Sequence, residues 1–91
     1  MMRLQDKVAI ITGAGGGIGG MMARMFAAEG AAVVVGEINE DSGSKVVEDI
    51  QAAGGQAILA LCDVSQPIQV KHMFDDAEGT FGKVDVLVNN A

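Results

Sequence analysis

The sequence has no tryptophan and no tyrosine, and it holds a single proline and a single cysteine among its 91 residues. One cysteine, Cys62, excludes an internal disulfide framework and fits a reducing compartment. No run of the chain approaches the roughly 18 consecutive apolar residues that a membrane span needs. The N-terminal Met1-Met2-Arg3-Leu4-Gln5-Asp6-Lys7 lacks the apolar core of a signal peptide, so cytoplasm is the expected location. Positive charge is scarce: six Lys and Arg stand against twelve Asp and Glu, for a net charge of −6. The six are spread along the chain. There is no basic stripe for a nucleic acid and no Lys/Arg helix face for a membrane surface, so neither is an expected partner. What the chain has in abundance is glycine, 13 residues in all, mostly where a strand should hand over to a helix. With 49% hydrophobic and 20% charged residues the composition is globular, and the length allows one small domain at most, spanning 1–91.

Hydrophobic patterning divides the chain into alternating elements. Val8-Ala9-Ile10-Ile11 is a short continuous apolar run, as expected of a strand buried on both faces. From Ile18 the spacing Ile18, Met22, Met25, Phe26 follows one face of a helix, which Gly30 should stop. Ala32-Val33-Val34-Val35 is a second strand. Asn39 or Ser42 could cap the next helix, with Glu40 and Asp41 near the positive end of its dipole and Val46, Val47 and Ile50 as its buried stripe. Gly54-Gly55 ends it. Ala57–Leu61 is a third strand. Ser65 or Gln66 caps a third helix, with Pro67 in its first turn, buried residues Val70, Met73, Phe74, Ala77 and Phe81, and Gly82 as its close. Val84–Val88 is a fourth strand, followed by Asn89-Asn90-Ala91. The order βαβαβαβ demands an α/β fold with a parallel sheet.

Thr12-Gly13-Ala14-Gly15-Gly16-Gly17-Ile18-Gly19-Gly20 lies between the first strand and the first helix. A pyrophosphate approaching there meets free backbone N–H groups and the helix dipole, and glycine keeps side chains out of its way. Two registers overlap: Gly15, Gly17 and Gly20 satisfy G-x-G-x-x-G, while Gly13, Gly17 and Gly19 satisfy G-x-x-x-G-x-G. The second is preferred, because its first glycine directly follows the strand. Glu37, at the end of the second strand, falls 18 residues after Gly19, near the spacing of about 20 expected of an acid that holds an adenosine ribose. Its carboxylate can accept from both ribose hydroxyls and repels a 2′-phosphate, by about 4 kcal/mol per charge pair at 4 Å and an effective dielectric of 20, before screening. No Arg or Lys lies in residues 12–23 or 31–44 to offset that, so the expected cofactor is NAD.

Thr12-Gly13-x-x-x-Gly17-Ile18-Gly19, Glu37, Asp63-Val64 and Asn89-Asn90-Ala91, in this order, resemble the short-chain dehydrogenase/reductase family over the whole chain. The resemblance implies a Rossmann-type sheet of strand order 3-2-1-4, incomplete here, and an oxidoreductase acting on an alcohol/carbonyl pair. It implies that Gly13, Gly15, Gly16, Gly17, Ile18 and Gly19 wrap the pyrophosphate and that Glu37 holds the ribose. Asp63 and Val64 would flank the adenine, with Asp63 accepting from its exocyclic amine. Asn90 and Ala91 would line the adenosine side of the cleft, and Asn89 would brace the sheet through its backbone. The family's catalytic Asn, Ser and Tyr-x-x-x-Lys have no counterpart in these residues, so no catalytic role is assigned. The expected partners of the complete enzyme are a small alcohol or ketone and further copies of itself, in a dimer or tetramer.

Other residues carry bland readings. His72 is a surface residue without metal-binding neighbours, Cys62 a buried small hydrophobe, and Met21, Met22 and Met25 core filler. Asp75, Asp76 and Glu78 form a solvated helix end. Thr12 has no base to make it a nucleophile. Two functions stay open: the cofactor-binding piece of a dehydrogenase, favoured because the chain ends within a motif, and a stand-alone, non-catalytic module that binds adenine dinucleotides.

Overall fold

A computed structural model describes residues 2–91. Strands and helices alternate: β1 (Val8–Thr12), α1 (Gly17–Ala28), β2 (Ala32–Glu37), α2 (Glu40–Ala52), β3 (Gln56–Leu61), α3 (Pro67–Phe81) and β4 (Val86–Asn89). The runs in β1 and β2 are apolar at nearly every position because both faces of those strands are covered. Ile11, Val33, Val35 and Ala57 pack with Ala23 of α1 and with Val46 and Ile50 of α2. Ile10, Val34 and Ala60 pack with Met73 and Ala77 of α3. Helices α1 and α2 therefore cover one face of the sheet and α3 the other. All strand pairs are parallel and the order is β3-β2-β1-β4, the expected Rossmann-type arrangement.

Helix ends follow local chemistry. The Asn39 side chain caps α2 by accepting from the Ser42 N–H at 3.0 Å, with Glu40 and Asp41 in the first turn. Gln66 holds the cap position of α3 without a side-chain bond, and Ser65 turns to Asp63 instead. Gly82 closes α3 in the left-handed conformation, its N–H donating to the Glu78 carbonyl at 2.8 Å.

Two expectations need correction. Helix α1 does not bury the stripe of large residues: Gly19, Gly20 and Ala23 face the sheet, and Met22 and Phe26 are half-buried at its margin. Ile18, Met21 and Met25 are 69%, 57% and 59% exposed, so Met21 and Met25 are not core filler. The helix starts hard against the end of β1, where only the smallest side chains fit, and this rotates the large ones outward. The fourth strand begins at Val86, two residues later than expected. Asp85 is drawn into the ladder ahead of it: its N–H donates to the Val8 carbonyl at 2.9 Å, and its carboxylate accepts from the Val8 N–H, also at 2.9 Å. That N–H, followed by the Lys83 ammonium at 3.1 Å, holds the Asp85 carboxyl below the usual carboxylate range.

Asp85 is thus turned inward and does not guard the free edge of β4. Leu87, beside Ile10 in register, is 50% exposed on that strand. Apolar edges of this kind pair with other chains. The 91-residue chain is expected to be weakly stable and to self-associate, with a sedimentation mass that rises with concentration and falls back toward the monomer in Leu87→Lys. A monomer with a sharp, concentration-independent thermal transition would contradict this.

Candidate functional site

The order β3-β2-β1-β4 carries the chain outward from β1 and then back to its other side, and ligands of open α/β sheets bind at the carboxyl ends of the strands beside such a reversal. The glycine loop lies there. Gly13 and Gly17 have φ of +64° and +55°, in the region that side chains disfavour. A Cβ on Gly19 would run into the Gly13 carbonyl oxygen and lie 2.6 Å from Asn90 Nδ2. Each glycine of the preferred register, Gly13, Gly17 and Gly19, thus has its own physical need. Helix α1 opens on Gly16 with no side-chain cap. Its ladder starts with the Gly20 N–H donating to the Gly16 carbonyl at 3.0 Å, so the N–H groups of Gly17, Ile18 and Gly19 have no intrahelical partner. A Cβ on Gly16 or Gly17 would meet nothing within 4 Å. A bare, unobstructed helix start has the chemistry to receive a pyrophosphate.

Glu37, the last residue of β2, folds its carboxylate back over this loop. Oε1 accepts from the Gly15 N–H at 2.9 Å, while Oε2 accepts from the N–H groups of Ile38 at 3.1 Å and Asn39 at 3.0 Å. Beside it opens a crevice of 180 Å³ lined by Gly13, Glu37, Ile38, Cys62, Asp63, Val64 and Ala91. The volume is below the roughly 300 Å³ of a complete small-molecule pocket, so it suits one end of an extended ligand. A larger cavity, of 540 Å³, is lined by Gln5, Lys7, Ala31, Gly55, Gln56 and Lys83 among others. It lies at the amino ends of the strands, the wrong end for a ligand of this sheet type.

The sequence profile of the short chain dehydrogenases matches residues 7–91. The chain belongs to this family. It is 50% identical over 90 residues to the 7alpha-hydroxysteroid dehydrogenase of Escherichia coli K12, a match that covers 99% of this chain and 35% of that protein. Another relative, the 3beta-hydroxysteroid dehydrogenase of Mediterraneibacter gnavus, is 43% identical over 91 residues, covering 100% of this chain and 33% of its own. A crystal structure of a hydroxysteroid dehydrogenase from Escherichia coli superposes with a TM-score of 0.96, at 50% identity, over 99% of this chain and 38% of that one. The structure of a 7 alpha-hydroxysteroid dehydrogenase complexed with NADH and 7-oxo glycochenodeoxycholic acid gives a TM-score of 0.94, at 49% identity, over 97% and 34%. The chain therefore spans about a third of the length of the short-chain dehydrogenases it matches.

Of the residues that the family motifs single out, Gly13, Glu37, Asp63, Val64 and Ala91 converge on the crevice. Asn90 does not line it. Its side-chain amide donates to the Gly13 carbonyl at 3.2 Å, beneath the glycine loop. Ile18 projects into solvent at the start of α1. The Ser65 hydroxyl, at 2.7 Å, and the Ser65 N–H, at 2.9 Å, both donate to Asp63 Oδ1 and hold the Asp63 carboxyl below its ordinary range. Burial, with the Asp63 charge beside it, pushes the Cys62 thiol up, and the residue is packed in the core behind the crevice. Among the described residues no group of three or more His, Cys, Asp or Glu could hold a metal, and His72 is exposed.

The sequence places Thr12 at the head of the glycine motif without showing its bracing role. The residue is 4% exposed, and its hydroxyl donates to Asn89 Oδ1 at 3.1 Å and accepts from the N–H groups of Asn90 at 3.0 Å and Ala91 at 3.3 Å. Asn89 thus braces the sheet through its side chain as well as its backbone. The only signal in the sequence is that a hydroxyl ends β1 and an asparagine ends β4, and their pairing becomes visible once the register Thr12↔Asn89 is known. Thr12→Val is isosteric and leaves three polar groups without a partner. It is expected to lower stability by about 1–3 kcal/mol, toward the low end because Asn90 and Ala91 reach solvent. Denaturant unfolding measures this, with faster amide exchange at Asn90 and Ala91. Thr12→Ser should behave as wild type, and an unchanged midpoint in Thr12→Val would count against the hydroxyl's role.

Proposed function

We propose that these residues are the cofactor-binding portion of an NAD-dependent oxidoreductase acting on an alcohol/carbonyl pair. One observation carries the cofactor choice: the crevice beside the glycine loop is lined by two carboxylates, Glu37 and Asp63, and by no Lys or Arg. The first-turn N–H groups of α1 are available to the pyrophosphate, Glu37 to the ribose hydroxyls, and Asp63 and Val64 to the adenine. A 2′-phosphate would face the Glu37 charge with no cation to offset it. Support comes from a relative of 49% identity, whose structure holds NADH.

A bound nicotinamide supplies or takes the hydride. The part of this chain is to bind and orient it. The proton of the alcohol has to be moved by a group such as the tyrosine-lysine pair of the family resemblance, and the sequence has no tyrosine. Catalysis is therefore assigned to residues outside these 91. The relatives' names make hydroxysteroids the first alcohols to assay. The 91-residue chain, freed of host dehydrogenases, should bind NAD without oxidising or reducing any alcohol or ketone. Turnover above background would contradict this assignment.

The cofactor reading is tested at Glu37 in the intact protein. Glu37→Ala should weaken NAD by about 2–3 kcal/mol, the worth of a charge-assisted hydrogen-bond pair. It should strengthen NADP, because the repulsion is gone and the N–H groups of Gly15, Ile38 and Asn39 become free to donate to a phosphate. Ile38 lines the crevice and is 68% exposed, so Ile38→Arg added to this variant should strengthen NADP further. Calorimetric titration of both dinucleotides provides the measurement. Unchanged affinities in Glu37→Ala would remove Glu37 from the cofactor site.

A further inference from the structure

Gly15 belongs to the glycine cluster but not to the register whose glycines the loop itself requires. It is absent from the glycines with positive φ, so its backbone does not exclude a side chain. Space does. A Cβ there would lie 2.5 Å from Ser42 Oγ, 2.6 Å from Glu37 Cγ and 2.7 Å from Glu37 Cδ. At Gly16, one residue on, a Cβ would meet nothing within 4 Å. Gly15 is therefore bare because the Glu37 side chain lies across it. The Gly15 N–H completes the seat by donating to Glu37 Oε1 at 2.9 Å.

The atoms that a Cβ would strike are all side-chain atoms, free to swing aside without a backbone shift. Ser42 Oγ is held by a bond of 3.3 Å to the Asn39 carbonyl. The Glu37 carboxylate would have to leave Gly15 and turn out toward solvent, away from the place where a ribose meets it.

We propose that Gly15 is a specificity-determining residue, a positioning residue that acts through Glu37: its missing side chain seats the carboxylate that separates NAD from NADP. This rests on the ribose-binding reading of Glu37. Any side chain at Gly15, however small and uncharged, moves the preference toward NADP. A methyl group has no affinity for a phosphate, so the shift comes entirely from the displaced carboxylate.

The test titrates NAD and NADP against four forms of the intact protein: wild type, Gly15→Ala, Glu37→Ala and the double variant. Carrying Ser42→Ala throughout removes the other side chain that the new Cβ would meet, so the result reads Glu37 alone. Gly15→Ala should lower the NAD-to-NADP affinity ratio by about tenfold or more, the worth of one charge-assisted hydrogen bond. In the Glu37→Ala background it should leave the ratio unchanged. Equal weakening of both cofactors, or the same shift with and without Glu37, would overturn the proposal and make Gly15 a requirement of the loop. A ratio that Glu37→Ala itself leaves unchanged would sink the ribose reading beneath it, which is a different outcome. If Gly15→Ala fails to fold by circular dichroism, a folded double variant supports the proposal, since the clash is then with Glu37. An unfolded double variant overturns it.

Discussion

The Thr12 hydroxyl closes the carboxyl end of the sheet. It sits on the last residue of β1, the strand between β2 and β4, and binds the side chain of Asn89 and the backbone of Asn90 and Ala91. With that tail held, the Asn90 amide reaches the Gly13 carbonyl and Ala91 forms one wall of the crevice. Gly13 in turn is so close to Ala91 that a Cβ would lie 3.0 Å from its Cα. The glycine loop is thus fixed from below by Asn90 and Ala91, which follow β4, and from the side by Glu37. Its outer surface, Gly16 and Gly17, stays open. One buried hydroxyl couples sheet register to site geometry.

Charge completes what packing begins. Glu37 ends β2 opposite Leu61 of β3, where the strand delivers its carboxylate to the start of α2 and to the glycine loop together. Three backbone N–H groups hold it, and a carboxylate with roughly four acceptor sites keeps capacity for a ligand hydroxyl. The same negative charge opposes a phosphate. On the proposed reading of Glu37, attraction for one dinucleotide and repulsion of the other come from one group.

The strands were legible in the sequence because β-branched runs such as Val33-Val34-Val35 can serve only a sheet covered on both faces. The glycine loop and Glu37 were legible because their spacing reflects the length of one βαβ unit. The inward face of α1 was not. Large apolar residues mark a helix face only where the helix stands off from its neighbour, and here Gly19, Gly20 and Ala23 make the approach. The start of β4 was obscured because the carboxylate of Asp85 stands in for a backbone acceptor, which no propensity records. Thr12 and Gly15 escaped for a shared reason: their roles lie in partners 77 and 22 residues away.

The proposed dinucleotide site runs across the carboxyl ends of the strands, between the glycine loop and the crevice beside Glu37. Amide chemical-shift mapping of the ¹⁵N-labelled protein titrated with NAD tests it most directly. The largest shifts should cluster at Gly15–Gly19, Glu37–Asn39, Asp63–Val64 and Asn90–Ala91, with the amino ends of the strands unmoved. Shifts concentrated instead around Gln5–Lys7, Gly55–Gln56 and Lys83, where the larger cavity lies, would contradict it.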